Sequence, residues 1–191
     1  ALQHDRDIVI RAVHQDPCAL KYAADECRHD REVALAAVKD HGIGLKFVGE
    51  EFRSDREIVA IAVSQRGACL QYSADSLQRD REIVIRAVRQ DPSALKYAAE
   101  ECRRDREVAL AAVTDHGLGL KYLSIELRAD RDVVMAAVVE NGQALAFAAE
   151  PCKSNREIAL AAVRSTGNSL RHAGPDCCAD REIVQTALEE D

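Results

Sequence analysis

The residues of this chain that could do chemistry are first of all its seven cysteines and six histidines. Thiolates and imidazoles bind zinc at short fixed spacings, but neither a C-x-x-C nor an H-E-x-x-H pattern occurs in the sequence. An odd number of cysteines also argues against a disulfide framework, and free thiols are typical of a reducing compartment. We therefore expect no metal, no other cofactor, and an intracellular reducing location such as the cytoplasm or an organelle stroma rather than secretion.

Several cysteines share one place in a regular spacing. Four of them are separated by multiples of 25 residues, namely Cys27, Cys102, Cys152 and Cys177. Other copies of this position hold Phe or Leu, so these thiols are predicted to be small hydrophobic side chains of the core. Cys178 stands where the other copies mostly carry Arg or Lys, which makes it the best candidate for a reactive thiol. Whether Cys177 and Cys178 react is left open.

One arginine follows the same spacing without exception. The members of this arginine ladder are Arg6, Arg31, Arg56, Arg81, Arg106, Arg131, Arg156 and Arg181. A positive charge in the first turn of a helix is opposed by the helix dipole, so another interaction must favour it. We favour a structural ion pair with an acid of a neighbouring unit over a stripe that binds an anionic partner. The acids considered for such pairs are Glu26, Glu51, Glu101 and Glu126.

These spacings come from a 25-residue unit that fills the chain. The signature is clearest in residues 80–104, DREIVIRAVRQDPSALKYAAEECRR, and the units start at residues 5, 30, 55, 80, 105, 130, 155 and 180. A fixed period of this length is typical of stacked repeat proteins, in which each unit contacts only its neighbours. We therefore treat residues 1–191 as a single helical-repeat domain.

Each unit is predicted to contain two short helices of about ten residues, because apolar positions follow a helical period and no period of two occurs. In the unit that starts at Asp80, this residue is a good N-cap, and Ile83, Val84, Ala87 and Val88 form one apolar face. The second helix carries a leucine and, two residues later, usually Tyr or Phe. The predicted fold is an all-α α-solenoid of 25-residue helix-turn-helix repeats, with about seven and a half units.

A glycine or a proline separates the two helices of each unit. The glycines suit a left-handed residue at the end of the first helix, and they are Gly42, Gly67, Gly117, Gly142 and Gly167. Pro17 and Pro92 replace them in two units, each after an Asp. Asp-Pro is typical of an N-cap followed by the first position of the next helix.

The pattern D-R-E-[IV]-V…A-V…G…A-L…[YF]-A…[LC]-R resembles the short helical repeats of a domain of unknown function, number 4116. The resemblance covers essentially the whole chain. It implies a helical repeat protein with scaffolding as its use, of a kind found in large repeat proteins of algae, protists and bacteria, and it carries no known chemistry. The last complete unit departs most from the pattern, at Asn155, His172, Gly174 and Pro175, so irregular stacking is expected there.

Charge and hydropathy argue against nucleic acid and a membrane span and indicate a protein partner. The net charge of −7 argues against nucleic acid, which is bound through clustered positive charge. No apolar run is long enough to cross a bilayer. The fifth and sixth units lose polar residues that the other units carry, at Leu118, Ile125, Val139 and Ala146. This loss indicates an apolar interface for a partner, although repacking against a neighbouring unit would give the same pattern.

We predict a non-enzymatic helical-repeat scaffold that mediates protein–protein interaction, with a partner that the sequence does not identify. The main alternative is a structural or assembly subunit of a large multiprotein complex, for example an organellar one in an alga or protist. A weaker alternative is an anion- or thiol-dependent ligand-binding protein. No residue set is expected to be catalytic.

Overall fold

The computed structural model describes residues 2–190, which are mostly helical and include no strand. The chain is an all-α solenoid of 25-residue helical repeats. We number the positions of a repeat from 1, which is Asp5 in repeat 1 and Asp180 in the partial repeat 8. Contacts divide the chain into two compact units, Ala1–Cys102 and Arg103–Asp191, which we call unit 1 and unit 2. The single domain over residues 1–191 stays a prediction.

Every repeat opens with a long α-helix at positions 2 to 10 or 11. These helices are Arg6–Gln15, Arg31–Lys39, Arg56–Gln65, Arg81–Gln90, Arg106–Thr114, Arg131–Glu140, Arg156–Ser165 and Arg181–Glu189. The predicted N-cap forms: Asp55 Oδ1 accepts hydrogen bonds from Glu57 N at 2.9 Å and Ile58 N at 3.1 Å. This bonding satisfies amides that have no partner within the helix.

The long helices build the core of each unit. In unit 1, Ile58, Val59 and Ala62 have no exposed surface. In unit 2, Val163 and Ile183 are equally buried and belong to a hydrophobic cluster between the last two long helices, Arg156–Ser165 and Arg181–Glu189. Because each helix buries its face only against neighbouring repeats, stacking supplies the stability that short helices lack alone.

The second helical stretch of each repeat is divided in two and is not the continuous helix of about ten residues that the sequence predicted. A 3₁₀ segment fills positions 13 to 18 in most repeats, and a single turn called the closing turn follows near positions 21 to 24. The 3₁₀ segments are Pro17–Tyr22, Ile43–Lys46, Gly67–Tyr72, Pro92–Tyr97, Gly117–Tyr122, Gly142–Phe147 and Gly167–His172, with shorter ones at Leu2–His4 and Leu127–Ala129. The α-helical closing turns are Asp25–Arg28, Glu50–Arg53, Asp75–Gln78, Glu100–Arg103, Glu150–Lys153 and Pro175–Cys178.

Two extended residues, at positions 19 and 20, separate these segments. In repeat 3 they are Ser73 and Ala74, with φ and ψ of −75° and 159° and of −64° and 153°. The amide of position 20 donates to the carbonyl of position 24 in the preceding repeat, as Ala74 does to Arg53 at 2.8 Å. The same backbone bond joins Ala24 to Gln3, Gly49 to Arg28, Ala99 to Gln78, Ala149 to Arg128 and Gly174 to Lys153, at 2.8 to 2.9 Å. The break in the second helix therefore frees an amide that holds consecutive repeats together.

The predicted left-handed glycine occurs at Gly42, which has φ of 61°, and at no other glycine of residues 2–190. In repeat 6 the chain instead leaves the long helix through an extended residue, Asn141, and Gly142 begins the 3₁₀ segment. Glycine is required there by space, because a Cβ on Gly142 would overlap the carbonyl oxygen of Ala162 in the next repeat. Pro17 begins its 3₁₀ segment as predicted, after Asp16, whose carboxylate accepts from Cys18 N at 2.8 Å.

The last complete repeat is as regular as the others, contrary to the expectation from its sequence. Asn155 caps its long helix through Oδ1, which accepts from Glu157 N and Ile158 N at 3.0 and 3.2 Å. Pro175 begins the closing turn, a position where its lack of an amide hydrogen does no harm.

Candidate functional site

The arginine ladder lies at the start of the long helices and, within each unit, connects each of these helices to the next. Arg56 Nε lies 3.2 Å from Asp80 Oδ2, and Arg56 Nη2 lies 2.5 Å from Glu82 Oε2. The cap of one helix is therefore also a partner of the arginine in the preceding repeat. Equivalent pairs join Arg6 to Asp30 and Glu32, Arg31 to Asp55 and Glu57, Arg106 to Asp130 and Asp132, Arg131 to Glu157, and Arg156 to Asp180 and Glu182. Arg81 and Arg181 occupy the same first helical position.

These partners are not the acids that the sequence suggested. Glu26 and Glu51 are bonded instead to His4 and His29, at 2.6 and 2.7 Å. Helix starts lie side by side in successive repeats, so the arginine reaches the neighbouring cap rather than the neighbouring closing turn. The bond from Arg156 holds the pKa of the Asp180 carboxyl below its usual range. Carboxylates already neutralise Arg56 and the five equivalent arginines, so these six are poorly suited to bind an anionic partner. Solvent exposure limits what each pair adds to stability.

Three of the four histidines of unit 1 lie between repeats and are bonded to carboxylates. His14 Nδ1 lies 2.7 Å from Asp40 Oδ2, in addition to the pairs of His4 and His29. Within residues 2–190, no group of three or more His, Cys, Asp and Glu side chains could hold a metal ion. No helix in the same residues is long and apolar enough to cross a membrane.

The prediction of core cysteines is confirmed. Cys27, Cys102, Cys152 and Cys177 are all buried. Two of these thiols also form a hydrogen bond that a purely hydrophobic side chain could not form. Cys152 Sγ donates to the carbonyl oxygen of Ala129 in the preceding repeat at 3.3 Å, and Cys102 Sγ donates to that of Arg79 at 3.4 Å. Burial raises the pKa of the Cys152 thiol and raises that of Cys69 to about 11. These thiols are therefore protonated near neutral pH and shielded from reagents.

Cys18 and Cys178 are the exposed cysteines, and all seven are free thiols. A maleimide reagent is expected to modify these two in the native protein and the remaining five only after denaturation. Intact-mass spectrometry before and after denaturation in urea counts the additions directly. A native protein that takes up reagent at Cys152 or Cys177 would contradict the burial of position 23.

The four interface candidates all lie in unit 2, and the structure places them at two locations. Val139 is the second-last residue of the helix Arg131–Glu140 and is 62% exposed. Gly117 packs against the end of that helix, since a Cβ on it would lie 2.9 Å from Asn141 Cβ, and the next residue is Leu118, which is 41% exposed. Leu118, in the 3₁₀ segment of repeat 5, and Val139 therefore both lie near the C-terminal end of the helix Arg131–Glu140.

Ile125 and Ala146 occupy positions 21 and 17 of successive repeats. The same two positions in repeats 1 and 2, Asp25 and Lys46, line a single cleft, so Ile125 and Ala146 face the equivalent region of unit 2. Ile125 is 56% exposed and Ala146 is partly exposed. Among residues 2–190 the other exposed large apolar side chains are Leu2, Tyr22 and Leu188. Leu2 precedes repeat 1, and Tyr22 and Leu188 lie in the first and last repeats, whereas Leu118, Ile125 and Val139 interrupt the regular polar surface of complete repeats 5 and 6.

Comparison with known families gives one match. The model of a family described as "Domain of unknown function (DUF4116)" matches residues 5–53, 30–78, 55–103, 80–128, 105–153, 130–178 and 155–191. The matches start 25 residues apart, at the first position of each repeat from 1 to 7, and together they cover nearly the whole chain. No curated protein and no solved structure matches the sequence.

Proposed function

The chain belongs to the DUF4116 family, and we propose that it is a non-enzymatic helical-repeat scaffold that binds a protein partner through unit 2. The observation that carries the proposal is the exposure of Leu118, Ile125 and Val139 at positions that most other repeats fill with smaller or polar side chains. A partner that covers these side chains would remove their apolar surface from water, which favours association. A repeat stack supplies a rigid support for such a surface.

The placement of the charged residues supports a role without catalysis. Arginines, caps and histidines that could act as acids or bases are paired across repeats, as in Arg56 with Asp80 and His14 with Asp40. Their task in the described residues is to fix one repeat against the next. An active site would instead need a perturbed acid or base in a pocket beside a nucleophile.

The proposal is tested by replacing two of the exposed apolar residues with the polar residues that another repeat carries at the same positions. Ile125→Glu and Val139→Arg introduce the residues that repeat 4 has at these positions, Glu100 and Arg89. The pair leaves net charge unchanged and should leave the unfolding midpoint unchanged, because both side chains point into solvent. Affinity for the native partner should fall at least about tenfold, as for a central interface contact.

The matched control adds the same two charges elsewhere, through Ser64→Arg and Ser76→Glu in repeat 3, both at exposed positions. It should bind the partner as the unmodified protein does. Equal affinity of both variants for the partner would show that Ile125 and Val139 are not part of the interface. A partner that stays bound at fixed stoichiometry through purification would identify a permanent assembly subunit, whereas rapid dissociation would identify a transient scaffold.

A further inference from the structure

A cleft of about 500 Å³ opens in unit 1 between the 3₁₀ segments and closing turns of repeats 1 and 2. Positions 17 and 24 of both repeats contribute cations to its walls. These are Lys21, Arg28, Lys46 and Arg53. In a chain with a net charge of −7, these four cations outnumber the three carboxylates of the same walls, which belong to Asp25, Glu50 and Glu51.

Some of this charge is already neutralised. Arg28 Nη2 lies 2.8 Å from Asp25 Oδ1, and the lining residue Glu51 is bonded to His29. Lys21, Lys46 and Arg53 form no ion pair with a carboxylate of residues 2–190. They therefore differ from Arg56 of the arginine ladder, whose guanidinium is bonded to the carboxylates of Asp80 and Glu82.

The three cations are held in place by other contacts. Lys46 Nζ lies 5.7 Å from the ring centre of Phe47 and 5.9 Å from that of Tyr72. Arg53 Nη2 donates to the carbonyl oxygen of Lys46 at 2.9 Å. Lys21 Nζ lies 5.8 Å from the ring centre of Tyr22. Contacts of this kind restrict the long side chains, so less entropy is lost when an anion binds.

We propose that this cleft binds an acidic segment of a protein partner, with carboxylates of the segment placed against Lys21, Lys46 and Arg53. A peptide fits better than a compact phosphate group because the wall also contains Glu50, which has no ion-pair partner among the described residues. Glu50 would repel a dense anion, yet it can accept a hydrogen bond from a peptide amide between two acidic side chains. This site lies in unit 1 and does not depend on Ile125 or Val139.

The experiment measures binding of a fluorescein-labelled hexaglutamate peptide to the full chain by fluorescence anisotropy. Saturable binding that weakens with added salt is expected. Lys21→Gln with Lys46→Gln should weaken it by about tenfold or more. The control Lys39→Gln with Arg66→Gln removes two exposed cations outside the cleft and should change the affinity less than about twofold.

Two further arms decide between the interpretations. Glu50→Gln should tighten peptide binding, because it removes the one carboxylate of the cleft that has no ion-pair partner in residues 2–190. This arm decides the matter even if the double lysine variant folds poorly. Inorganic pyrophosphate should compete only weakly. The proposal is overturned by any of three results: no saturable binding, equal losses in the cleft and control variants, or displacement of the peptide by pyrophosphate at lower concentration than by unlabelled peptide.

Discussion

Replacing Gly142 by alanine is expected to lower the free energy of unfolding of unit 2 by about 1–3 kcal/mol, the usual cost of forcing atoms into a packed interior. The backbone of Gly142 is not left-handed, so alanine could adopt its conformation. What forbids a side chain is space, because its Cβ would overlap the carbonyl oxygen of Ala162 in the next repeat. The variant must push two repeats apart or distort the 3₁₀ segment.

Gly119→Ala is the matched control for this prediction. Gly119 lies in the corresponding 3₁₀ segment of repeat 5, at a position where repeats 1, 4 and 6 carry alanine. It should unfold at the same urea concentration as the unmodified protein or slightly above it, since alanine restricts the unfolded chain. Urea denaturation followed by circular dichroism measures both variants. Equal midpoints for Gly142→Ala and Gly119→Ala would show that close contact between repeats does not select glycine.

Ala74→Pro is expected to destabilise unit 1 by about 2–3 kcal/mol, because a buried carbonyl loses its donor and the proline ring intrudes on it. The φ of Ala74, −64°, already suits proline, and the preceding Ser73 is extended as a residue before proline must be. The substitution therefore alters little except the amide that donates to the Arg53 carbonyl at 2.8 Å.

The neighbouring substitution Asp75→Pro separates this effect from a general intolerance of proline. Asp75 begins the closing turn of repeat 3, just as Pro175 begins that of repeat 7. We expect its cost to be clearly smaller than that of Ala74→Pro in the same urea titration. If both prolines cost the same, the bond between positions 20 and 24 is not what holds the repeats together.

The long helix of each repeat could be predicted from sequence because its signals are local. Asp80 accepts a hydrogen bond from Ile83 N, and Ile83 and Val84 are buried on the predicted face. The second helix could not be predicted in this way. Ala98 and Ala99 are strong helix formers, yet Ala98 is extended and Ala99 N donates to the Gln78 carbonyl of the preceding repeat. A bond between repeats outweighs local propensity at that point.

One sequence signal for the break does exist. Position 20 is always small, as Ala, Gly or Ser, and this restriction would have indicated close backbone contact. The sequence gives no such signal for the partners of the arginine ladder. Acids occur at positions 1, 3 and 22 of the repeat, and each of these positions could supply the partner. Only the alignment of neighbouring helix starts selects Asp80 and Glu82 for Arg56.

The candidate interface was predictable only as a set of departures from the repeat. Sequence comparison identifies Leu118, Ile125, Val139 and Ala146 as apolar exceptions, but it cannot show which of them are exposed or lie together. The structure shows that Leu118, Ile125 and Val139 are exposed and that Ala146 is partly exposed. The cleft of repeats 1 and 2 could not be predicted from the sequence, because its lysines look like ordinary surface residues.

The most direct test of the proposed scaffold is the composition and molar mass of the native protein, purified from its source under mild salt and measured by gel filtration with light scattering and mass spectrometry. The account predicts a defined protein partner that co-elutes with the unmodified chain and with the Ser64→Arg, Ser76→Glu control, and that is lost from the Ile125→Glu, Val139→Arg variant. A partner retained equally by all three, or a monomer with no partner, would contradict it.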